Sequence, residues 1–471
     1  MLFPSITFLF YFLPLFFIFY CAAPGINAKN VVLLFASLLF YAWGEPRFVL
    51  LLAGQIVLNY AAALLIGAAQ GNRRRAATVL AVTVNLALLA LFKYADFAVG
   101  AINGLVGPDK FALPGLALPL GISFFTFHAI SYLVDVHRGQ VAANRSLLAV
   151  AVYIAMFPQL IAGPIIRYHT IARRLRERRM TLGRVSAGLR IFVIGLAQKV
   201  LIADEVARIA EAVFDKLSSP SLAEAWLGLC AYTVQIYFDF AGYSNMAIGL
   251  GLALGFAFPR NFRLPYTARS ITEFWRRWHI SLSQWLRAYL YIPLGGSRGT
   301  ALDTYRNLCL VFLTCGLWHG ANWTFVVWGA HHGAFLILER AGVAGQLARA
   351  PMLVTRVYAL LAVMSGWVWF RARDVDHALS FFASLAGAHG FSGVSVATHV
   401  VLNPATIVAL AVGIVLAVVE IDVWQVVRRL TGRAARPIYA LGDLTAITAL
   451  FALSVLSVAA GSYSPFLYFR F

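Results

Sequence analysis

Two histidine motifs lie within an otherwise apolar part of the chain. The first is Trp318-His319-Gly320. The second is Trp328-Gly329-Ala330-His331-His332-Gly333, in which His332 follows His319 by 13 positions. An ionisable side chain in a membrane segment is costly, so each histidine is a functional candidate. A neutral imidazole suits the removal of a proton from a hydroxyl group as its oxygen attacks a thioester. Asn322 follows the first motif closely and is a candidate for substrate contact.

Two other interpretations of these histidines stay open. They are also typical of core residues that hydrogen-bond between helices, and His331 beside His332 leaves open which ring is the second functional one. A pair of histidines is also typical of metal ligands, but no nearby cysteine, aspartate or glutamate completes a coordination set. We expect no metal.

A third candidate region combines tryptophans with arginines. Its members are Arg276, Arg277, Trp278, His279 and Arg287. Clustered arginines on the cytoplasmic side suit the phosphates of an anionic acyl donor. The same composition is also typical of a membrane interface, with the rings at headgroup level and the cations toward water.

A further candidate for binding the substrate or donor is Asp239, which lies in the apolar run Tyr237-Phe238-Asp239-Phe240. A buried carboxylate in a membrane requires a partner, and we expect an arginine or a histidine.

The composition places all of these residues in a membrane protein. Of the 471 residues, 61% are hydrophobic and only 12% are charged, against about 25% charged in a typical soluble domain. The net charge of +19 is distributed in short basic blocks between apolar runs. That distribution indicates cytoplasmic loops and contact with membrane lipids rather than nucleic-acid binding.

Twelve apolar segments predict an all-α polytopic fold without a separate soluble domain, so residues 1–471 form one integral-membrane domain. The segments lie at 5–23, 31–43, 48–69, 77–98, 117–136, 147–165, 188–203, 223–257, 308–338, 354–370, 404–423 and 440–463. A crossing needs about 20 helical residues. Several segments are too short or too long for one pass.

The charge distribution predicts that two of these segments enter and leave on the same face. A full crossing at 147–166 would put the arginine-rich stretch 167–184 outside, against the preference of basic loops for the cytoplasm. Pro158, Gly163 and Pro164 supply the helix breaks that a re-entrant segment requires. By the same reasoning 308–338 goes in and returns, which places His319 deep in the protein.

Several motifs, in order along nearly the whole chain, carry a resemblance to a known family. They are Phe3-Pro4-Ser5, Ser123-Phe124-Phe125-Thr126-Phe127, Phe157-Pro158-Gln159, Ala162-Gly163-Pro164, Asp239-Phe240-Ala241-Gly242-Tyr243-Ser244, Phe274-Trp275, Trp278-His279-Ile280-Ser281-Leu282-Ser283, Trp318-His319-Gly320, His332-Gly333, Trp369-Phe370-Arg371-Ala372 and Pro465-Phe466-Leu467-Tyr468-Phe469. With these motifs the chain resembles the membrane-bound O-acyltransferases, and among them the bacterial alginate O-acetylases.

The resemblance implies a fold and an activity. The fold would be a ring of about 10–12 transmembrane and re-entrant helices around a central tunnel. His319 would match the catalytic histidine of the family and His332 a second essential one. The expected acyl donor is acetyl-CoA, bound as a substrate from the cytoplasm with no bound cofactor. The acetyl group would pass across the bacterial inner membrane to periplasmic acetyltransferase partners and an exported polysaccharide.

Alginate is the polymer that this resemblance favours, and other acceptors stay open. Related branches acetylate cellulose or peptidoglycan, or transfer D-alanine to teichoic acids. A different class, a subunit of a polysaccharide transporter, predicts broken helices in two matching halves, and the sequence shows no such pairing.

Overall fold

A computed structural model describes residues 1–107, 110–419 and 437–461. All regular secondary structure in these residues is helical, which confirms the all-α polytopic fold. The chain divides into two compact units, one of residues 1–189 and 246–259, the other of 190–245 and 260–471. The single domain over 1–471 stays a prediction. The basic block 428–436 and the motif 465–469 lie outside the described residues.

The first unit contains the N-terminal helices. They are α1 (Leu13–Ala22, preceded by a π-helical turn Thr7–Phe12), α2 (Gly25–Gly44), α3 (Val49–Ala68), α4 (Gly71–Val106), α5 (Ile122–His137), α6 (Leu147–Ala155), α7 (Phe157–Leu160), α8 (Tyr168–Arg176) and the beginning of α9 (Leu182–Ala197).

The segment 147–166 is broken as the sequence predicts. Helix α6 ends where Met156 adopts a non-helical conformation, and the chain is irregular again after the short α7. The residues on either side of the segment lie together, because the Asn144 amide donates to the Tyr168 hydroxyl at 2.9 Å. The two ends of the segment are therefore close together, as a re-entrant segment requires, and its position relative to the membrane stays a prediction.

Polar contacts also bring the predicted cytoplasmic loops of this unit together. The Arg74 guanidinium donates to the Val136 carbonyl, and the Thr78 hydroxyl lies 2.9 Å from His137 Nδ1. The start of α4 therefore lies beside the end of α5, as the distribution of basic residues predicts.

The second unit contains the remaining helices. After α9 and a π-helical segment Gln198–Ala203 come α10 (Asp204–Lys216), α11 (Leu222–Ala253), α12 (Ile271–Arg277), α13 (Ile280–Leu286), α14 (Ala301–His319), α15 (Trp323–Leu338), α16 (Ala344–Arg349), α17 (Met352–Arg371), α18 (Val375–Leu385), α19 (Val396–Val401), α20 (Pro404–Val418) and α21 (Pro437–Ala459). The last eight residues of α11 belong to the first unit.

Six helical stretches in the described residues are long and apolar enough to cross a membrane. They are Gly25–Gly44, Pro46–Ala68, Gly71–Val106, Leu182–Lys216, Met352–Arg371 and Gly442–Ala459. Two shorter apolar helices, Thr7–Ala22 and Pro404–Val418, accompany them. The protein is therefore a multi-pass membrane protein.

The re-entrant arrangement predicts the accessibility of the loop after α8. In a variant without native cysteines, Thr181→Cys should resist a membrane-impermeant maleimide in intact cells and react after permeabilisation. Leu113→Cys, in the loop between α4 and α5, is the control that should react from outside. Efficient labelling of position 181 in intact cells would contradict the re-entrant arrangement.

Candidate active site

The two histidine motifs lie on a helical hairpin formed by α14 and α15. Thr300 caps α14, since its hydroxyl accepts from the Asp303 backbone N–H while the Asp303 carboxylate accepts from that of Thr300. Helix α14 ends at His319, and Asn322 caps α15 by accepting from the Thr324 backbone N–H. The chain thus goes in and returns, which confirms the hairpin predicted for 308–338.

The hairpin closes through glycines at its contact surface. A methyl group added at Gly316 would lie 2.2 Å from the Phe325 carbonyl oxygen, and one at Gly329 would lie 2.3 Å from that of Phe312. At Gly320 it would lie 2.1 Å from the Phe325 ring. Real side chains do not approach so closely, so only glycine allows the helices to meet at this distance.

His319 lies at the tip of this hairpin and is 4% exposed. Its ring centroid is 4.9 Å from that of Trp328 and 5.3 Å from that of Phe370. His279 also reaches this place, with its ring centroid 6.4 Å from that of His319. The imidazole is therefore enclosed by aromatic rings and largely shielded from solvent.

His332 is fully buried on α15 between two tryptophans. Its ring centroid is 5.2 Å from that of Trp275 and 5.0 Å from that of Trp328. Trp275 Nε1 donates a long hydrogen bond of 3.4 Å to His332 Nδ1. In neutral His332 the proton is then on Nε2, because an imidazole nitrogen that accepts carries no hydrogen.

His332 Nε2 has no hydrogen-bond partner in the described part of the chain, and the same is true of Trp328 Nε1. A methyl group added at Gly366 would lie 2.9 Å from His332 Nε2, so the glycine keeps space beside this nitrogen. Buried donors normally have acceptors, so two unsatisfied N–H groups on neighbouring rings mark a place for a polar ligand atom.

His331 has a different environment from its neighbour. Its Nε2 lies 2.8 Å from the Ala362 carbonyl oxygen and so donates to the backbone of α17. The side chain is half-buried. Of the two adjacent histidines, His332 is the one whose ring shares Trp328 with His319.

The short helix α12 is held against α15 by a buried carboxylate. Glu339 accepts from the backbone N–H of Ile271 at 2.5 Å and from that of Thr272 at 2.9 Å. It also accepts from the Thr272 hydroxyl at 2.6 Å. The carboxylate satisfies amides that the start of a helix leaves without partners. This contact places Trp275 against His332.

Among the described residues, no group of three or more histidine, cysteine, aspartate or glutamate side chains could hold a metal ion. The site consists instead of two imidazoles that both pack against one indole, enclosed by further aromatic rings. Such a site can shield a reactive thioester from water and supply groups that exchange protons.

The sequence profile of MBOAT, the membrane-bound O-acyltransferase family, matches residues 81–370, which include this hairpin. The chain belongs to the membrane-bound O-acyltransferase family. It is an O-acyltransferase embedded in a membrane.

Several relatives within this family match over most of their length. The chain is 44% identical to a protein of Azotobacter vinelandii named probable alginate O-acetylase AlgI, and 42% identical to the protein of that name from Pseudomonas aeruginosa. Both alignments cover the whole of each protein. A peptidoglycan O-acetyltransferase of Helicobacter pylori is 39% identical over 83% of this chain and 81% of its own.

The tryptophans of α12 and α13 in this acyltransferase are not interfacial. Trp275, Trp278 and Trp285 are 8%, 2% and 6% exposed. Trp278 packs against Phe262 and Trp367, with ring centroids 5.0 and 4.9 Å away. The interpretation of these rings as a headgroup belt is therefore wrong, because all three are buried within the protein, and Trp275 packs directly against His332.

The three arginines of this region have different surroundings. Arg276 and Arg287 are exposed and have no ion-pair partner among the described residues. Arg277 pairs with Glu273 at 2.5 Å and donates to the Thr267 hydroxyl at 2.7 Å. Burial by itself would raise the pKa of Glu273, but the Arg269 backbone N–H and the Arg277 guanidinium hold that pKa below its ordinary value. Arg277 is therefore already neutralised.

His279 adopts a left-handed backbone conformation, with φ of +43°, which is uncommon for a residue other than glycine. Asn261 holds this turn: its side-chain oxygen accepts from the Ser281 backbone N–H at 3.1 Å and lies 3.2 Å from His279 Nδ1. The turn brings the buried His279 ring to within 4.6 Å of Phe240, measured between centroids. The structure thus joins His279 to the surroundings of His319.

Asp239 and Asn322 have structural partners. Lys199 lies 2.6 Å from carboxylate oxygens of both Asp239 and Asp204, and all three are buried. The expected arginine or histidine partner of Asp239 is wrong, because a lysine on the neighbouring π-helical segment reaches it. The Asn322 amide donates to the Arg373 carbonyl at 2.8 Å in addition to capping α15.

Sequence reasoning missed three residues that shape the site. Trp328 packs against both histidines, Glu339 fixes α12, and Asn261 holds the turn at His279. The sequence could have indicated Trp328, since it lies one helical turn before His332 and therefore on the same face of α15. Glu339 and Asn261 act on segments distant in sequence, and no local pattern indicates such contacts.

The glycine contact of the hairpin gives a matched pair of variants. Gly316→Ala should destabilise the protein by about 1–3 kcal/mol, because its methyl group has no space beside the Phe325 carbonyl. Gly333→Ala should have little effect, since its methyl group would lie 3.4 Å from the nearest atom, an ordinary contact. Thermal unfolding of the purified protein in detergent checks this. Equal melting temperatures for the two variants would contradict the close contact.

Proposed function

We propose that this enzyme transfers an acetyl group from cytoplasmic acetyl-CoA across the bacterial inner membrane for the O-acetylation of alginate. The full-length identity to proteins named probable alginate O-acetylase AlgI supports the polymer. The observation that carries the chemistry is the buried arrangement of His319, Trp328 and His332 at the hairpin.

The proposed reaction assigns separate roles to the two histidines. His319 takes the proton of the acceptor hydroxyl as its oxygen attacks the thioester carbonyl carbon, and the carbon–sulfur bond breaks. The proton then passes to the departing thiolate, so that free CoA leaves as a thiol. This cycle returns His319 to its neutral form and changes no oxidation state.

The unsatisfied N–H groups of His332 and Trp328 suit the oxygen that becomes negative during this attack. Donors fixed in a dry site stabilise a developing oxyanion without reorganisation, and losing one such donor typically lowers kcat by about 10²–10³-fold. Trp275 supports this role, because its hydrogen bond to His332 Nδ1 keeps the proton of neutral His332 on Nε2.

Donor binding is the proposed role of Arg276 and Arg287. Their exposure and their lack of ion-pair partners in the described residues leave two guanidinium groups for the phosphates of acetyl-CoA. Arg277 contributes less because Glu273 already neutralises it. Trp278, His279, Asn322 and Asp239 then support the site by packing and hydrogen bonding rather than by binding the donor.

The onward path of the acetyl group involves other proteins. We place the exported polysaccharide as the final acceptor, and periplasmic acetyltransferases as the partners that receive the group. O-acetylation of peptidoglycan is the second candidate function, supported by the 39% identity to the Helicobacter pylori enzyme. Acetyl content of both polymers in a deletion strain separates the two. Loss from peptidoglycan alone would replace alginate with the second candidate.

The role of His319 can be tested by conservative replacement. His319→Gln should lower alginate acetylation by about 10²–10⁴-fold, because an amide keeps a hydrogen bond but does not carry a proton between reactants. His332→Gln should also be severely impaired. The matched control is His331→Gln, which should retain most of the activity.

Acetyl content of alginate, normalised to the amount of each variant in the membrane, is the measurement. Near wild-type acetylation by folded His319→Gln would show that the histidine is structural. A loss in His331→Gln equal to that in His332→Gln would overturn the assignment of the second histidine.

Donor binding predicts a separation of KM from kcat. Arg276→Gln with Arg287→Gln should raise the KM for acetyl-CoA by about tenfold and change kcat less, since the lost contacts are equal in the ground and transition states. The control is Arg298→Gln, an exposed arginine outside this cluster. An unchanged KM for acetyl-CoA in purified protein would contradict donor binding by Arg276 and Arg287 and would favour a contact with membrane lipid.

A further inference from the structure

A strongly basic cavity lies in the first unit, lined mostly by residues that follow the segment 147–166. Its volume is about 960 Å³. Six arginines and a single carboxylate, Glu177, line it. The arginines are Arg173, Arg174, Arg176, Arg178, Arg179 and Arg184.

The charge in this cavity is largely uncompensated. Glu177 pairs with Arg173 at 3.2 Å, on side chains that are 69% and 88% exposed, so this pair contributes little. The pKa of Arg174 is lowered by burial and by the neighbouring charge of Arg184. Like charges held this close together favour the binding of an anion.

Arg178 is held in place by several contacts. Its Nε donates to the Tyr20 hydroxyl at 2.9 Å and its Nη1 to the Asn30 side-chain oxygen at 2.7 Å. The guanidinium lies 4.6 Å from the centre of the Phe256 ring. Nη2 is buried and has no hydrogen-bond partner in the described residues. A guanidinium fixed in this way, with one donor unsatisfied, suits a phosphate oxygen.

The position of Arg178 places the cavity at a membrane surface. Tyr20 lies near the end of α1 and Asn30 near the start of α2, so the guanidinium connects adjoining ends of two apolar helices. Lys29 lies in the second turn of α2, and its Nζ is 5.7 Å from the centre of the Tyr20 ring. The ends of apolar helices lie at the level of lipid headgroups, and basic pockets there bind anionic lipids.

From this geometry we infer that the cavity binds the headgroup of an anionic phospholipid with closely spaced phosphates, of the cardiolipin type. The guanidinium groups contact phosphate oxygens, and the acyl chains follow the apolar faces of α1 and α2. The lipid holds the loop after α8 against the turn between α1 and α2. This inference does not rest on the proposed acyl transfer, and its test does not use acetylation as a readout.

The test compares two variants that lose the same charge. One replaces Arg174, Arg179 and Arg184 with Gln and leaves Arg178 with its bonds to Tyr20 and Asn30. The other replaces the exposed Arg298, Arg340 and Arg349 with Gln. Native mass spectrometry of the full chain in detergent, titrated with cardiolipin, should give an apparent Kd about tenfold or more weaker for the first variant only.

Both variants must first elute from size-exclusion chromatography as a single folded species, so that a loss of affinity is not a loss of folding. Equal cardiolipin affinity in the two variants would overturn the proposal. So would displacement of cardiolipin by adenosine 3′,5′-bisphosphate, since the cavity would then be a site for a soluble phosphate ester. Retained affinity in the control, weakened affinity in the cavity variant and no displacement by the nucleotide would support it.

Discussion

The contact between Gly316 and Gly329 is the constraint on which the candidate site depends. At this contact the backbones of α14 and α15 approach so closely that neither position accepts a methyl group. The distance fixes the turn at Gly320, and the turn fixes His319 at the tip of the hairpin. It also determines which face of α15 presents Trp328 and His332 to the same interior.

The second requirement is that buried polar groups have partners. Lys199 lies between Asp204 and Asp239, with both contacts at 2.6 Å, because an isolated charge in this environment would be very unfavourable. Glu339 meets the same requirement by accepting from backbone amides at the start of α12. Since these groups are satisfied structurally, they stabilise the fold around the site rather than react.

Two buried donors of the candidate site differ from these paired groups. His332 Nε2 and Trp328 Nε1 are buried without acceptors in the described residues, whereas His331 donates to the backbone of α17. Both N–H groups belong to rings of the candidate site, since Trp328 packs against His319 and His332 packs against Trp328. This difference supports the proposals that the substrate completes the site and that the two adjacent histidines have different roles.

The sequence by itself determined the membrane character, the break within 147–166, the hairpin at 308–338 and the prominence of His319 and His332. Each of these depends on local composition: apolar length, helix breakers, and the side on which basic residues collect. Only the tertiary structure decided that Asp239 pairs with Lys199, that the tryptophans of α12 and α13 are buried, and that Arg277 is neutralised while Arg276 is not. Many residues could satisfy a buried carboxylate or cover an indole ring. Which one does so depends on segments far apart in sequence, and packing alone brings them together.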